Sequence, residues 1–246
     1  MKKRLLVLGL AFTMFAATAC GTSSDDGNKT SKADKTVTAT PNSDKTSETQ
    51  KNDDKKDDAK ESYKSADDIT MDDLKNHEET PAEDFKYRDK SNGEAVIKEY
   101  TGDDPIVVIP NEIDGKKVVD FGKIFTNNKD IVAVRVGDNV ENIKEGAFGN
   151  CDNLKYIILG KNVKVFEHGN VGGKKFEQLE LNDGLEQLGE EGTSGAVIIL
   201  NKDKVEVKIP ESVNHMAFTG AKTLIVKAGS YAESFAKKHN MDYRVE

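Results

Sequence analysis

The chain has 246 residues, a formal net charge of −8 and a charged fraction of 33%. This acidic balance, without a dominant basic cluster, argues against nucleic acid as a partner, because phosphate binding relies on clustered Lys and Arg. Much of the charge lies before residue 85, so the composition predicts a strongly charged N-terminal part followed by a compact domain.

Residues 1–20 have the pattern of an export signal. A positively charged start precedes the apolar stretch 5–19, which is too short for a comfortable membrane span. Residues 17–20 resemble a bacterial lipobox, although the family usually has Leu where Ala17 stands. The resemblance implies cleavage before Cys20, a diacylglycerol on its sulfur, and lipid anchoring on the extracytoplasmic face of the cell membrane. The alternative is an ordinary cleaved signal peptide with an incidental cysteine.

Residues 21–64 are predicted to be a disordered linker. Between residues 22 and 64 the chain has no Leu, Ile, Phe or Met, while acidic residues and Lys are intermixed. Such a segment cannot bury enough apolar area to offset its conformational entropy. We expect it to act as a tether that holds the folded part away from the membrane.

Residues 65–84 form an acidic segment with eight acidic residues and one Lys. Thr70 followed by Asp73 has the pattern of a capping box, which predicts a short helix that ends before Pro81. The alternative is that this segment continues the linker. It lacks the spacing and the glycine of an EF-hand, so we predict no calcium site here.

A β-hairpin is predicted to open the folded domain. Apolar and aromatic residues alternate between Phe85 and Tyr100, on either side of the dipeptide Asn92-Gly93. Asn-Gly between alternating segments is a strong hairpin signal, because both residues tolerate positive φ.

A hydrophobic pair four residues apart recurs five times in the second half of the chain. The first members of successive pairs are 27, 23, 22 and 28 residues apart, which is typical of solenoids whose units cannot bury their apolar faces alone. Each pair begins at the end of a short strand and spans a turn rich in Asn, Asp, Gly or Pro. The pairs are Ile109/Ile113, Val136/Val140, Leu159/Val163, Leu181/Leu185 and Ile209/Val213. The strand residues two positions before each pair, also expected to point inward, are Val107, Val134, Ile157, Leu179 and Val207.

A third block closes the repeat unit. It combines an aromatic residue with an aliphatic residue six positions later, as in Phe125/Ile131, Phe148/Leu154 and Phe218/Leu224. The segments AFGNCDNLKYIILGKNV, VVIPNEIDGKKV and VKIPESV resemble the BspA-type leucine-rich repeat of bacterial surface proteins. The resemblance covers roughly residues 85–246 and implies a mostly β solenoid with short parallel strands along one face.

The predicted fold class is therefore mainly β: a leucine-rich-repeat solenoid with short parallel strands, an N-terminal β-hairpin and a C-terminal capping helix. Ser230 with Glu233 predicts the start of that helix, and a strand at 243–245 would cover the last repeat. The pattern is weakest between Phe166 and Leu200, where Val171 takes the place of the aromatic residue. Two further segments, 196–200 and 205–209, fit either a hairpin or a shortened repeat, so the count of five or six repeats stays open.

No pattern in the sequence predicts a catalytic site, a metal site or a cofactor. The four His residues have no metal-ligand spacing, and HExxH, GxSxG and paired CxxC motifs are missing. The stretch 172–174 fails as a phosphate loop because His168 stands where the motif needs Gly. Cys151, the only cysteine besides Cys20, is predicted to be a small buried residue and not a catalytic thiol.

The strand face that points away from the core is the predicted binding surface. Exposed Tyr, Ile and Arg side chains on neighbouring strands are plausible recognition groups. The alternative is that these side chains only cover a half-solvated sheet. The candidate partner-binding residues are Arg135, Tyr156, Ile158, Gln178, Glu180 and Lys208.

Together these patterns predict a lipid-anchored bacterial surface protein whose repeat domain mediates protein–protein or cell-surface binding, as an adhesin does. Its partners would be the membrane, through the lipid on Cys20, and a protein or surface ligand. Two alternatives stay open. One is an envelope-associated spacer without a dedicated ligand; the other is a solute-binding lipoprotein or hydrolase, which would need a concave pocket with converging polar groups.

Overall fold

The computed structural model describes residues 65–190 and 195–246. The predicted signal peptide 1–20, with Cys20, and the predicted linker 21–64 lie outside the described residues. The described part is a parallel-strand β-solenoid of about six turns with few helices, which confirms the predicted fold class. Its helices are α1 (Met71–Asn76) and α2 (Tyr231–Lys238), with 3-10 turns at Ala66–Asp68 and Ala82–Asp84. Its strands are β1 (Phe85–Asp89), β2 (Ala95–Tyr100), β3 (Ile106–Val108), β4 (Glu112–Ile113), β5 (Lys116–Phe121), β6 (Ala133–Arg135), β7 (Asn142–Ile143), β8 (Tyr156–Ile158), β9 (Val165–Phe166), β10 (Gly169–Val171), β11 (Gln178–Glu180), β12 (Gln187–Leu188), β13 (Val197–Ile199), β14 (Glu206–Lys208), β15 (His215–Met216), β16 (Phe218–Thr219), β17 (Thr223–Val226) and β18 (Tyr243–Val245).

Strands from successive turns stack into parallel sheets that run along the coil. The front sheet has the order β11-β8-β6-β3, and a separate sheet, β14-β17-β18, follows it next to β11. A second sheet runs from β2 through β5, β7, β9 and β12 to β15, with β1 and β4 added antiparallel. The third sheet is β10-β13-β16. Each turn therefore contributes a short strand to two or three sheets, as stacked repeats do.

The front strands have the predicted alternation. Val107, Val134, Ile157 and Leu179 are in register across the sheet and are buried in the main core. The neighbouring side chains on each strand point to the opposite face, because successive residues of a strand alternate. Of the predicted inward residues, Leu181 is only partly buried. It lies beside the interruption between β11 and β14.

The N-terminal hairpin is confirmed, since β1 and β2 pair antiparallel over residues 85–100. The turn differs from the expected two-residue form: Gly93 has φ 83°, whereas Asn92 is not among the residues with positive φ. The Lys90 N–H donates to the Glu94 carbonyl at 2.8 Å, so the loop consists of the three residues 91–93 and is one residue longer on its N-terminal side.

Aromatic side chains form a continuous column inside the first turns. Phe148 packs edge-on against Phe121 and Phe166 at ring distances of 6.0 and 5.9 Å, and it stacks on Phe125 at 5.9 Å. Tyr100 extends the column from Phe125 towards the hairpin. The column links turns that are distant in sequence, so it couples their stability.

One predicted equivalence between repeats is wrong. Ile131 and Leu154 lie three residues before the central residues of β6 and β8. Leu224 instead pairs with Val207 at the centre of β17, so it is equivalent to Ile157 and not to Leu154. The six-residue spacing from Phe218 is therefore a coincidence that arises because the last turn is shorter.

The irregular region forms a strand of the third sheet and not a hairpin. The segment around β13 pairs in parallel with β10 and β16, while β14 pairs with β17. Val171, expected to replace the aromatic residue, is buried in β10. Residues 196–209 thus contain the third-sheet strand of one turn, β13, and the strand that opens the next turn, β14.

The C-terminal end is closed as predicted. The Glu233 N–H donates to the Ser230 hydroxyl at 3.2 Å, and the Glu233 carboxylate accepts from the Gly229 N–H at 2.7 Å. Helix α2 buries Ala232, Phe235 and Ala236, and β18 adds to β17 in parallel. These elements cover the apolar end of the last turn, which a solenoid must hide.

Candidate functional site

The outer face of the front sheet has two parts. Residues 66–80, which we call the strap, lie across β3, β6 and β8. We call the outer side chains beneath it the covered face. The outer side chains of β11, β14 and β17 lie beyond the strap, and we call them the open face: Gln178, Glu180, Glu206, Lys208 and Ile225.

The strap is held by two buried aliphatic side chains. Ile69 and Leu74 are both fully buried and belong to a small apolar cluster that is distinct from the main core. Burial of each contributes about 1.5–3 kcal/mol by the usual area relation. The sheet residues of this cluster are Ile106, Val132, Ala133 and Tyr156, with Ile158 at its margin.

Two basic side chains of the sheet bind the strap main chain. Arg135 donates from Nη2 to the His77 carbonyl at 2.5 Å and from Nε to the Leu74 carbonyl at 3.3 Å. These carbonyls lie at the end of α1, where a cation also favours the helix dipole. Lys155, 7% exposed, donates to the carbonyl of Ile69 at 2.8 Å. The buried ammonium is therefore compensated by its contact with the strap.

Local capping and edge contacts fix the ends of the strap. Thr70 and Asp73 form the predicted capping box, with Asp73 N–H donating to the Thr70 hydroxyl at 3.2 Å. The Thr70 hydroxyl and backbone hydrogen bonds hold the pKa of the Asp73 carboxyl below its usual value. At the other end, Thr80 N–H donates to the Val108 carbonyl at 3.0 Å, and the Thr80 hydroxyl accepts from Val108 N–H at 2.9 Å. The interpretation of residues 65–84 as further linker is thus wrong for this part, because it is packed on the sheet.

The predicted face residues are divided between the two parts. Arg135 and Tyr156 lie under the strap, and Ile158 is half-buried at its margin. Glu180 marks the boundary, since it pairs with Lys75 of the strap at 2.9 Å. Gln178 donates to Glu180 at 2.9 Å, and Lys208 is exposed and paired with Glu246. Sequence reasoning placed all six on one free surface and missed the strap, although Ile69 and Leu74 stand out in an otherwise acidic segment.

Tyr156 is kept neutral by its surroundings. Burial raises the pKa of its hydroxyl to about 12, and a hydrogen bond to the Glu177 carboxylate at 2.7 Å acts in the same direction. The hydroxyl therefore serves as a hydrogen-bond donor throughout the physiological range. It anchors Glu177 at the border between the covered and open faces.

A cleft of about 510 Å³ opens between β11, the last strand of the front sheet, and β14. Within the described residues, β11 and β14 belong to different sheets, so the cleft lies between two strand edges. Most of its side chains are exposed or half-buried and carry both signs of charge. Its lining includes Glu180, Leu181, Lys204, Glu206, Lys208 and Ile225.

The described residues, 65–190 and 195–246, contain no group of three or more His, Cys, Asp or Glu side chains that could hold a metal ion. Cys151 is buried, as predicted, and its thiol lies 3.0 Å from the Phe125 carbonyl. Burial raises the pKa of this thiol to about 12, so the reactive thiolate is disfavoured. In the same part of the chain, no helix is long and apolar enough to cross a membrane.

Comparisons with known proteins agree with this architecture. No protein-family model matches the chain, and no curated protein matches it in sequence. The chain is similar to the solved structure of the T. pallidum leucine-rich repeat protein TpLRR, with 24% identity and a TM-score of 0.51 over 60% of this chain and 71% of that one. This likeness establishes the fold of a leucine-rich repeat protein.

Two further solved structures are more distant. A leucine-rich repeat protein from Bacteroides ovatus is 20% identical with a TM-score of 0.42, over 58% of this chain and 48% of that one. A leucine rich cell surface protein from Faecalibacterium prausnitzii is 16% identical with a TM-score of 0.35, over 58% of this chain and 53% of that one. The chain therefore spans about half the length of these two proteins.

Proposed function

We propose that this chain is a lipid-anchored bacterial surface protein whose leucine-rich repeat domain binds a protein or cell-surface partner through the open face. The observation that carries the proposal is the division of the front sheet. A solenoid offers an extended surface for binding, and within the described front sheet the part beyond the strap leaves the outer strand side chains accessible. Because the strap engages Arg135 and Tyr156, the proposed contact residues are Gln178, Glu180, Lys208 and their neighbours.

The open face has the composition of a recognition surface. Ile225 is half-buried beside the exposed Lys208, with which it is in register. Apolar groups surrounded by charged ones are typical of protein–protein contact patches. The charges of Glu180, Glu206 and Lys208 would determine which partner surfaces are complementary.

The first prediction concerns binding by the open face. A peroxidase fused to the chain should label at least one surface protein on intact cells, and the double variant Lys208→Glu/Ile225→Asp should reduce that labelling about tenfold, the scale of a contact hot spot. The matched control Lys98→Glu/Val165→Asp makes the same changes at an exposed and a half-buried position of the second sheet. Labelling profiles that are identical in all three proteins would contradict the proposal and favour the spacer hypothesis.

The cleft between β11 and β14 provides a specific reason to keep a second candidate, solute binding. Its 510 Å³ is within the range of small-ligand sites, and polar groups converge there. Because Lys208 and Ile225 also line this cleft, the double variant would weaken both functions. Isothermal titration of the purified chain separates them, since solute binding would be detected there without any labelled partner protein.

The second prediction concerns the anchor. Cys20→Ala should lose palmitate incorporation and move from the detergent phase to the aqueous phase, because the proposed acyl chains supply the membrane affinity. Cys151→Ala, which removes the only other cysteine, should keep both properties. Retention of palmitate by Cys20→Ala would disprove the lipoprotein assignment without bearing on the open face.

A further inference from the structure

The strap contacts the sheet as a bound peptide does, and it adds little to the solenoid core. Its apolar contacts form their own cluster on the outer side of the front sheet, while the main core lies on the inner side. Two aliphatic anchors, Ile69 and Leu74, enter this cluster. The solenoid can therefore keep its main core intact when the strap leaves.

The sheet holds the strap largely through groups that any peptide possesses. Arg135 binds the carbonyls of Leu74 and His77, and Lys155 binds those of Asp67 and Ile69. Such hydrogen bonds from charged donors to main-chain oxygens are strong and do not depend on side-chain identity. Sequence preference would then arise from the apolar contacts and from charge.

Charge complementarity specifies the kind of peptide that fits. The strap has six acidic residues and one Lys. The solenoid offers Arg135 on β6, Lys155 just before β8 and Lys175 in the turn before β11, and Lys175 pairs with Asp67 at 2.9 Å. The two carboxylates of the solenoid at this border have partners of their own, so they do not repel the acidic strap: Glu177 accepts from Tyr156, and Glu180 pairs with Lys75, the single Lys of the strap.

We propose that the covered face is a peptide-binding site that the strap occupies in the resting chain. Its partner would be an acidic segment of another protein that forms a short capped helix and inserts two aliphatic side chains five residues apart, as Ile69 and Leu74 do. This site is separate from the open face, and the proposal does not depend on the function assigned there. Displacement of the strap would join the two faces into one continuous surface.

The third prediction tests this site with a labelled peptide. The probe is a fluorescent peptide of residues 65–80, added to the full chain carrying Leu74→Asp. A carboxylate cannot stay in the apolar cluster, so the variant strap leaves and the peptide should bind saturably. The wild-type chain should bind it at least about tenfold more weakly, because the attached strap competes at an effective concentration in the millimolar range.

Matched variants make the outcome specific. Asn76→Asp adds the same charge at an exposed strap position and should bind like wild type. A peptide with Asp in place of Leu74 should not bind, and Lys155→Met in the Leu74→Asp background should lower the affinity for the normal peptide. If Leu74→Asp does not give a folded solenoid by circular dichroism, Ile69→Asp replaces it. Equal binding to wild type and variant, or no binding to the folded variant, would overturn the proposal, and neither result bears on labelling through the open face.

Discussion

Phe148→Ala is expected to lower the free energy of unfolding by about 3–5 kcal/mol, the range for removal of a large aromatic side chain from a core. Phe148 is 1% exposed and contacts the rings of Phe121, Phe125 and Phe166. These partners come from different turns, so the cavity would also weaken the coupling between turns. Urea unfolding of the full chain, followed by far-ultraviolet circular dichroism, measures the loss.

The same experiment has a graded control. Phe148→Leu keeps most of the apolar volume and should cost about 1.5 kcal/mol or less. Because weaker coupling between turns favours stepwise unfolding, Phe148→Ala should also show a broader transition than wild type. A loss below about 1 kcal/mol for Phe148→Ala would contradict the aromatic column as the main link between the first turns.

The fold was predictable because its determinants are local and repeated. Each inward strand residue recurs beside a turn, and stacking places Val107, Val134 and Ile157 in register. The failed equivalence of Leu224 has the opposite cause. A single spacing carries little information when the number of residues between landmarks varies from turn to turn.

The interruption of the front sheet coincides with the longest interval between hydrophobic pairs, but length alone is not its cause, because β3 and β6 stay paired across the 27-residue interval. The interval between Leu181 and Ile209, at 28 residues, is the longest of the four. It includes β13, which extends the third sheet before the chain returns to the front as β14. The cleft opens at this point, between β11 and β14. The spacing was visible in the sequence, but its effect on the ladder depends on where the extra residues pack.

The covered face was not predictable for a different reason. A capping box at Thr70 identifies a helix but not the surface on which that helix packs. The decisive contacts join Arg135 and Lys155 to main-chain carbonyls, and carbonyl acceptors are present at every residue. The available signal was the pair of aliphatic residues, Ile69 and Leu74, in an acidic segment. It predicts packing only when the apolar patch on the outer side of the front sheet is known.

The turns after the front strands give the second large expected effect. Residues two positions after the last strand residue stack on one another from turn to turn, and Gly137 and Gly160 are successive members of this stack. A Cβ on Gly160 would lie 2.7 Å from the carbonyl carbon of Gly137 and 2.8 Å from the carbonyl oxygen of Val136. Both contacts are with backbone, so no side-chain rotation can relieve them.

Gly160→Ala should therefore destabilise the chain by about 3 kcal/mol, the upper end of the usual range for overpacking. The matched control is Gly184→Ala in the next turn, where the nearest atoms to a Cβ are 3.4 Å away and φ is not positive. Gly184→Ala should change the free energy of unfolding by less than about 1 kcal/mol. Its Cβ makes ordinary van der Waals contacts in the folded chain, and the substitution lowers the conformational entropy of the unfolded chain.

Gly160→Ala should also loosen the strap, whereas Phe148→Ala acts first on the core. The clash at the added Cβ would push apart the turns that follow β6 and β8. These two strands carry Arg135 and Tyr156, which lie beneath the strap. Hydrogen exchange at the Thr80 amide, which is bonded to Val108, should become faster relative to amides of the second sheet. Equal stability of Gly160→Ala and Gly184→Ala would show that the stacked turns tolerate a side chain, and that this close backbone approach does not set the spacing of the front sheet.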